Sequence, residues 1–380
     1  MQSKKAVIVG YDSVSPLGTE MEAQWLRAAR GESGISKLTR FPVADNFPVR
    51  IAGQVDHIDT TPYPFLSARK LAQWTSPIFK YAMLVVHRAL EKSKIEITPD
   101  LSHRVAITFS SAVGGQDALL KADRLMISKG KLPHPFTNPN SCINMVGGKI
   151  SILTGATGPI TSTITACATG VTSIIIGAML LEQGKADVAL CGAVDFALVE
   201  PIVAGFATMN GTYSPKTGQP EEPAERASRP FSIDRRGFVI SEGAGSIIIC
   251  TKEFADAHGL NGIKPDDIDA VNAHATSTKV GDKVEFDALK AVFGNDMPPV
   301  TANKSLIGHA MGASSAIESI FTIQGMQKSS LLPTINYTPD PDMVLDCVPE
   351  GARNHNQEYV LKNSFGFGGC NSCIVFRRIA

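Results

Sequence analysis

The feature that most restricts the fold is a β-branched run that leads, within a few residues, into a long apolar run. Residues 158–164 begin with Gly-Pro and continue as Ile-Thr-Ser-Thr-Ile, which is typical of a buried strand. Residues 171–181 are apolar almost throughout, which favours a buried helix. A strand followed by a buried helix is typical of proteins that stack sheets and helices in layers.

Cys167 lies in the short junction between these two runs. At the start of a helix, unpaired N–H groups and the helix dipole favour the thiolate form of a cysteine. Such a thiolate is a nucleophile, and the nearby N–H groups can hold an oxyanion. Free cysteines are also often simply buried in a core, and this junction alone does not decide between the two interpretations.

Strand-like runs alternate with helical stretches along the whole chain. We predict helices that include residues 76–93 and 171–183, and strands at residues 6–10, 105–110, 160–165, 188–191, 246–250, 270–274, 300–304, 359–363 and 373–377. This alternation predicts an α/β fold. No Pro/Gly/Ser-rich linker divides the chain, and no short-period repeat is present.

Composition narrows the functional class. The 380 residues are enough for one large domain or two ordinary ones, and a hydrophobic share of 43% with 19% charged residues suits a large core. Lys plus Arg and Asp plus Glu number 36 each, so no net basic charge points to nucleic acid. No apolar run approaches the ~20 residues of a membrane span. We therefore predict no nucleic-acid and no membrane partner.

The seven cysteines are scattered and suggest no disulfide framework. We predict reduced thiols and a cytoplasmic location, because the chain enters its first predicted strand without a signal-peptide pattern. Cys370 and Cys373 form a lone CxxC pair. Zinc or redox chemistry there is a minor alternative to two ordinary thiols in or beside the last strand, and we predict no metal site.

Two histidines and a glycine-rich segment join Cys167 in one constellation. Singly, His274 and His309 are each more often structural, and glycine clusters usually mark turns. The motifs are Val-Asn-Ala-His-Ala-Thr-Ser-Thr at 271–278, Asn-Lys-Ser-Leu-Ile-Gly-His-Ala-Met-Gly-Ala at 303–313, and Asn-Ser-Phe-Gly-Phe-Gly-Gly at 363–369. Together and in this order they resemble the β-ketoacyl-acyl carrier protein synthases, the elongating condensing enzymes of the thiolase superfamily.

The resemblance extends over most of the chain and includes Arg-Pro-Phe at 229–231 and Glu-Gly-Ala-Gly at 242–245. It implies two similar halves, each a mixed sheet covered by helices, packed as an αβαβα layered sandwich. We predict an N-terminal half at residues 1–250 that carries the cysteine. A C-terminal half at residues 251–380 carries the two histidines.

The family reaction is a decarboxylating Claisen condensation, in which a carbanion made from a malonyl thioester attacks an acyl group held on a cysteine. The resemblance implies that Cys167 holds the acyl group and that the backbone N–H groups of Cys167 and Phe367 form the oxyanion hole. It implies that His274 and His309, as neutral imidazoles, donate N–H to the enolate. Lys304 is expected beside His309, where it fixes the protonation state and orientation of that ring.

The resemblance also implies a set of substrate-binding residues: Thr276, Thr278, Phe206, Phe367 and Val113. The two threonines are expected on the pantetheine arm, although threonine in a strand-end loop is equally a turn former. The Phe367 ring is expected to gate the acyl pocket. For three acidic side chains we expect structural roles: Asp282, Glu285 and Glu318.

No cofactor of its own is expected, because acyl carrier protein supplies the phosphopantetheine arm with the substrate. The predicted partner is acyl carrier protein in its acyl and malonyl forms. It is expected to dock on a basic patch that includes Arg69 and Lys70, although Met209 stands where related enzymes often carry arginine. In the family, the strand at 159–165 pairs across a two-fold axis, which predicts a homodimer.

The largest departure from the family pattern follows the strand at 246–250. The family normally has a further strand-helix unit before the His274 strand, but here only residues 252–269 intervene. The second half is therefore predicted to be shortened, the alternative being that a segment near Gly259–Gly262 is missing from this sequence. Ala275 replaces a usual glycine, and Cys370 replaces a usual threonine. Two alternatives remain: a biosynthetic thiolase, which uses a second catalytic cysteine, and a non-catalytic chain-length subunit of a heterodimer, which usually lacks the nucleophile.

Overall fold

The computed structural model describes residues 5–213, 222–252, 267–348 and 351–378. The strands are β1 (Lys5–Val14), β2 (Ile35–Lys37), β3 (Ile51–Gly53), β4 (Val105–Ser110), β5 (Ile160–Thr161), β6 (Val188–Asp195), β7 (Gly243–Lys252), β8 (Ala270–Asn272), β9 (Val300–Thr301), β10 (Ser330–Leu331), β11 (Arg353–Asn354), β12 (Tyr359–Gly366) and β13 (Cys370–Arg377). The helices are α1 (Met21–Ala29), α2 (Ala68–Leu71), α3 (Pro77–Ser93), α4 (Pro99–Ser102), α5 (Gln116–Lys129), α6 (Thr137–Ser141), α7 (Met145–Thr154), α8 (Thr169–Glu182), α9 (Glu200–Thr208), α10 (Lys279–Phe293), α11 (Lys304–Ile307) and α12 (Met311–Lys328).

Two sheets of the same design form the body of the protein. The first has the order β1-β7-β6-β4-β5, with β4, β5 and β6 parallel and β7 antiparallel to β6. The second has the order β13-β12-β8-β9, with β8, β9 and β12 parallel and β13 antiparallel to β12. The second sheet therefore repeats the last four strands of the first, and the two similar halves implied by the resemblance are present.

Helices separate and cover the two sheets. α3 packs on β1 and β7, on the outer side of the first sheet. α8 and α12 pack against each other between the sheets, where both contact the first sheet, α8 contacts β13 and α12 contacts β12. α10 covers the outer side of the second sheet through Phe286 and Leu289, which pack with Val271 and Val300. The layers therefore run α, β, α, β, α, as predicted.

The two central helices cross at a point where only small residues fit. A Cβ added to Gly170, in the first turn of α8, would lie 2.5 Å from the backbone nitrogen of Ala316 in α12. Ser315 reinforces the crossing, because its hydroxyl accepts hydrogen bonds from the backbone N–H groups of Gly170 and Val171. The start of α8 is therefore fixed against the first turns of α12.

Three predicted strands differ from the structure, and one of them, predicted at 270–274, ends at Asn272. Of residues 158–165, only Ile160–Thr161 pair with another strand, and Ile160 and Ile164 are 45% and 49% exposed. The prediction of a buried strand was wrong there, because β5 lies at the sheet edge with β4 as its ladder partner in the first sheet. The strand predicted at 300–304 ends at Thr301, and Lys304 begins α11.

The predicted shortening falls between β7, which ends at Lys252, and β8, which begins at Ala270. Residues 253–266 lie outside the described part of the chain. The boundary predicted between residues 250 and 251 falls inside β7. Among the described helices, none combines the length and the apolar character needed to cross a membrane.

Candidate active site

A strained turn presents the nucleophile. Residues Ala166–Ala168 form a 3-10 turn that continues into α8, and Ala166 adopts the left-handed region with φ of 47°. Such a conformation costs a non-glycine residue on the order of 1–3 kcal/mol, so the surroundings must enforce it. Thr169 does so, because its hydroxyl accepts from the N–H of Thr165 and donates to the carbonyl of Ala166. The turn leaves Cys167 6% exposed.

The thiol of Cys167 is protonated at neutral pH. Burial raises its pKa to about 11; Lys304 lowers that pKa and Asp195 raises it, both by smaller amounts. Ser315 already accepts hydrogen bonds from two N–H groups in the first turn of α8. The N–H group of Cys167 lowers this pKa, which is the direction predicted for a helix start, but the loss of water on burial has the larger effect.

His309, in the short link between α11 and α12, contacts the thiol. Its Nε2 atom lies 3.0 Å from Sγ of Cys167, and its Nδ1 lies 3.1 Å from the hydroxyl of Ser314. That hydroxyl also accepts from the N–H of Ala310. Burial, and then Lys304 and Lys362, lower the pKa of His309 well below its usual range, so the imidazole is neutral.

His274 completes the polar side of the site. It follows β8, and its ring centroid lies 5.5 Å from that of His309 with the two planes nearly perpendicular. The carboxylate of Glu285 accepts from the N–H groups of His274 and Ala275 and so fixes this loop. Burial lowers the pKa of His274, and within the described residues its Nδ1 atom has no hydrogen-bond partner.

Lys304 supports the site through the backbone of His274 and through Glu318. Its ammonium donates to the carbonyl of His274 and to Glu318, each at 2.6 Å. Glu318 is fully buried, and its second oxygen lies 2.8 Å from the ammonium of Lys362. The charge of Lys304 contributes to the low pKa of both histidines.

The segment after β12 brings a second backbone N–H to the sulfur. The N–H groups of Cys167 and Phe367 both hydrogen-bond Sγ and favour its ionised form. Gly366 permits this close approach, because a Cβ there would lie 2.5 Å from the carbonyl oxygen of Thr165. The two N–H groups can therefore polarise an atom bound at the sulfur, while the Phe367 ring is 58% exposed.

The remaining predicted substrate residues fall into two groups, one in the loop after His274 and one in an apolar cluster. The hydroxyls of Thr276 and Thr278 are 3.0 Å apart in the half-buried loop after His274. Phe206 packs edge-on against Phe238, whose ring in turn packs against His309. Val113 belongs to the same apolar cluster as Phe206 and Phe238.

Arg69 and Lys70, the predicted docking residues, are both exposed on the short helix α2. Lys70 contributes to a lowered pKa of Lys149, so a third basic side chain lies in the same region. Met209 is also exposed. The structure therefore exposes two adjacent basic side chains on α2, with a third basic group nearby.

Three supporting residues were not found from the sequence: Ser314, Asp195 and Lys362. Asp195, at the end of β6, accepts from the Ser111 hydroxyl and from the N–H groups of Val113 and Ala313, and burial raises its pKa to about 6. It therefore joins the Val113 loop to the start of α12. An acidic residue closing the apolar run at 188–195 was a signal for it, whereas nothing local distinguished Lys362 from a surface lysine.

Several further features bear on metal binding. The ligand atoms of Cys167, His274 and His309 all lie within 4.8 Å of one another, and two of them, Sγ of Cys167 and Nε2 of His309, are hydrogen-bonded to each other. Cys370 and Cys373 are free thiols in β13, and residues three apart on a strand point to opposite faces. The CxxC pair therefore does not form one chelating site.

A buried thiol, two neutral imidazoles and two backbone N–H donors, held between duplicated halves, define a thiolase-like condensing enzyme. The family model for the β-ketoacyl synthase N-terminal domain matches residues 3–255, and that for the C-terminal domain matches residues 248–338. The chain belongs to the β-ketoacyl synthase family. It is an acyltransferase-class synthase that joins acyl units by condensation.

Relatives match over nearly the full length. A 3-oxoacyl-[acyl-carrier-protein] synthase 2 of Staphylococcus aureus (strain COL) is 32% identical over 425 positions, covering 99% of both chains, and one of Vibrio harveyi is 31% identical, covering 100% of both. The first alignment has 45 positions more than the 380 residues here, so this chain lacks residues that the relative carries.

Solved structures agree with the fold. The ishigamide ketosynthase/chain length factor has a TM-score of 0.87 at 25% identity and covers 100% of both chains. A β-ketoacyl synthase from Burkholderia phymatum STM815 has the same TM-score at 26% identity, over 99% of this chain and 100% of that one. The prediction of a thiolase-like layered sandwich is confirmed.

Proposed function

We propose that this enzyme extends an acyl chain held on Cys167 with a malonyl unit delivered by acyl carrier protein. The observation that carries the proposal is the pair of neutral histidines on one side of a buried thiol, with Nε2 of His309 3.0 Å from the sulfur. Neutral imidazoles donate N–H bonds to a developing enolate without first needing a proton. Relatives named 3-oxoacyl-[acyl-carrier-protein] synthase 2 support the choice of carrier.

The first half-reaction loads the enzyme. The sulfur of Cys167 attacks the carbonyl of an acyl thioester, the thiol proton leaves through His309, and the oxyanion lies against the N–H groups of Cys167 and Phe367. Collapse forms the new thioester and releases the carrier thiol with the proton. The high pKa of Cys167 is offset here because the thiol needs to ionise only as it attacks.

The second half-reaction forms the carbon–carbon bond. The malonyl thioester loses CO₂, and the resulting enolate oxygen accepts N–H bonds from His274 and His309. His309 uses its second neutral tautomer in this step, in which the Ser314 hydroxyl donates to Nδ1 and Nε2 carries the proton. The enolate carbon attacks the acyl carbonyl on Cys167, the second oxyanion uses the same two backbone N–H groups, and collapse expels the sulfur. The expelled thiolate of Cys167 takes up one proton from solvent, and the product is a 3-oxoacyl thioester longer by two carbons.

The substrate arm and the assembly follow from the same proposal. The phosphopantetheine arm of the carrier passes Thr276 and Thr278, whose hydroxyls face each other at the half-buried loop. A structural neighbour with 24% identity and a TM-score of 0.87 comes from a complex of a type II PKS acyl-carrier protein with its ketosynthase, and this supports the proposal of carrier docking. We also propose a homodimer through the β5 edge and a cytoplasmic location, which the seven free thiols support.

The test supplies purified enzyme with acyl and malonyl acyl carrier protein. We expect an acyl group on Cys167 by mass spectrometry, release of CO₂, and a 3-oxoacyl product, all absent in Cys167→Ala. Condensation without malonyl and without CO₂ would instead identify a thiolase. If neither the acyl-enzyme nor the product forms, the proposal is contradicted, and a non-catalytic chain-length subunit becomes the better explanation.

A further inference from the structure

Lys362 is a buried lysine that the chemistry above does not use. It lies in the middle of β12, its side chain has no exposed surface, and its register partner on β8 is Asn272, two residues before His274. Lysine is almost never fully buried unless it is paired, because removing its charge from water is costly. Its place behind the catalytic histidines therefore calls for a specific partner and a specific effect.

The partner is a carboxylate that a second lysine shares. Nζ of Lys362 lies 2.8 Å from Oε2 of Glu318, while Nζ of Lys304 lies 2.6 Å from Oε1 of the same group. Lys362 also donates to the carbonyl of Asn363. Lys304 in turn donates to the carbonyl of His274. One buried carboxylate thus joins Lys362 to the lysine that holds a catalytic histidine.

The charge balance around Lys362 depends on groups from every neighbouring element. These are Glu318 of α12, Lys304 of α11, Glu285 of α10, the rings of His274 and His309, and Cys373 of β13. The two lysines and two glutamates cancel when all four are ionised. Removing only Lys362 would leave one net negative charge behind both imidazoles.

We propose that Lys362 is a positioning residue for condensation, whose ammonium secures Glu318 for Lys304 and keeps His274 and His309 in the neutral, N–H-donating form. The inference rests on the proposed function, since its effect is on the decarboxylation step. A nearby cation disfavours an imidazolium, so loss of Lys362 raises the pKa of the histidines. The histidines then become protonated at a higher pH, and activity falls earlier as the solution is acidified.

The test compares CO₂ release from malonyl acyl carrier protein against pH in the wild type, Lys362→Met and the double variant Glu318→Gln/Lys362→Met. Methionine keeps the length of the side chain and removes its charge. In Lys362→Met we expect the fall of activity toward low pH to move upward by on the order of 1 pH unit. The double variant removes one negative charge together with the positive one. The pH at which its activity falls should therefore return toward the wild-type value.

Lys290→Met, at an exposed position of α10, is the matched control and should keep the wild-type profile. A wild type that releases no CO₂ contradicts the proposed function. If the wild type releases CO₂ and Lys362→Met either keeps full activity or loses the same fraction of activity at every pH, only this inference is overturned. If Lys362→Met does not fold, the double variant provides the test. An upward shift in the pH at which its activity falls would contradict the charge-balance explanation.

Discussion

The Nε2 atom of His309 lies 3.0 Å from the sulfur of Cys167, although 142 positions separate the two residues in the sequence. The contact exists because α8 and α12 cross where Gly170 meets Ala316 and Ser315 caps the first turn of α8. The crossing thus brings the starts of two duplicated helices together. The nucleophile comes from one half of the protein and its proton acceptor from the other.

Alkylation of Cys167 by iodoacetamide should accelerate steadily from pH 7 to pH 10. Burial raises the pKa of this thiol to about 11, so the reactive thiolate is the minor form at neutral pH and grows as the pH rises. The rate is measured by peptide mass spectrometry, with the exposed Cys142 as an internal reference. A rate for Cys167 that reaches its plateau near pH 7 would show a pre-formed thiolate and contradict this prediction.

Substitution of the two histidines should separate loading from decarboxylation. His274→Ala and His309→Ala should each lower CO₂ release by ~10²–10⁴-fold, the usual size of a proton-donor contribution. Of the two histidines, His309 is the one that hydrogen-bonds the sulfur, so acyl loading of Cys167 should persist in His274→Ala and slow in His309→Ala. Single-turnover mass spectrometry of the acyl-enzyme makes the comparison. Equal loss of loading in both variants would argue against separate roles.

The sequence could place the chemistry because its signals are local. Residues 171–181 specify a buried helix, so Cys167 falls at its start, and the order of the motifs with His274 and His309 identifies the family. Local signals could not show that the strand expected at 158–164 is short and partly exposed. Its short pairing depends on β5 lying at a sheet edge, which is a property of the assembled sheet.

The electrostatics of the site could not be predicted from the sequence for a similar reason. Whether Cys167 is ionised depends on how completely α8 and α12 exclude water, and no local pattern reports that. The side chains of Val360, Lys362 and Ser364 lie on the same side of β12. A lysine in a strand normally indicates an exposed face. Only the position of Glu318 on α12 shows that this lysine lies inside.

Glu318→Ala should destabilise the protein strongly. It leaves Lys304 and Lys362 buried without their shared carboxylate, and breaking a buried pair costs about 3–5 kcal/mol. The free energy of unfolding is measured by denaturant titration. The control is Asp287→Ala, which removes an exposed partner of Lys283 and should cost no more than about 1 kcal/mol. Similar losses in both variants would contradict the importance of the buried cluster.

Ile160→Asp should convert a dimer into monomers. Ile160 is 45% exposed on the edge strand β5, and an apolar edge strand is suited to pairing with a second copy. Sedimentation at micromolar concentration measures the mass. Val344→Asp, at a position 78% exposed, is the control and should leave the mass unchanged. A wild type that sediments as a monomer would contradict the proposed assembly directly.

Arg69→Glu with Lys70→Glu should raise the KM for acyl carrier protein and leave the reaction with small acyl thioesters unchanged. Both side chains are exposed, and Lys149 adds a third basic group nearby. Acyl carrier proteins are acidic, so a basic patch would steer their approach, and reversing its charge should slow encounter most at low salt.

The control for this prediction is Lys283→Glu with Lys290→Glu on α10, which reverses the same amount of charge elsewhere on the surface. It should leave the KM for the carrier close to the wild-type value. If both double variants weaken carrier binding equally, the effect is one of net charge and not of a docking site. If Arg69→Glu/Lys70→Glu also loses activity with small thioesters, the change has disturbed the fold. An unchanged KM would place the docking surface elsewhere, because the steering charges would then have to lie outside α2.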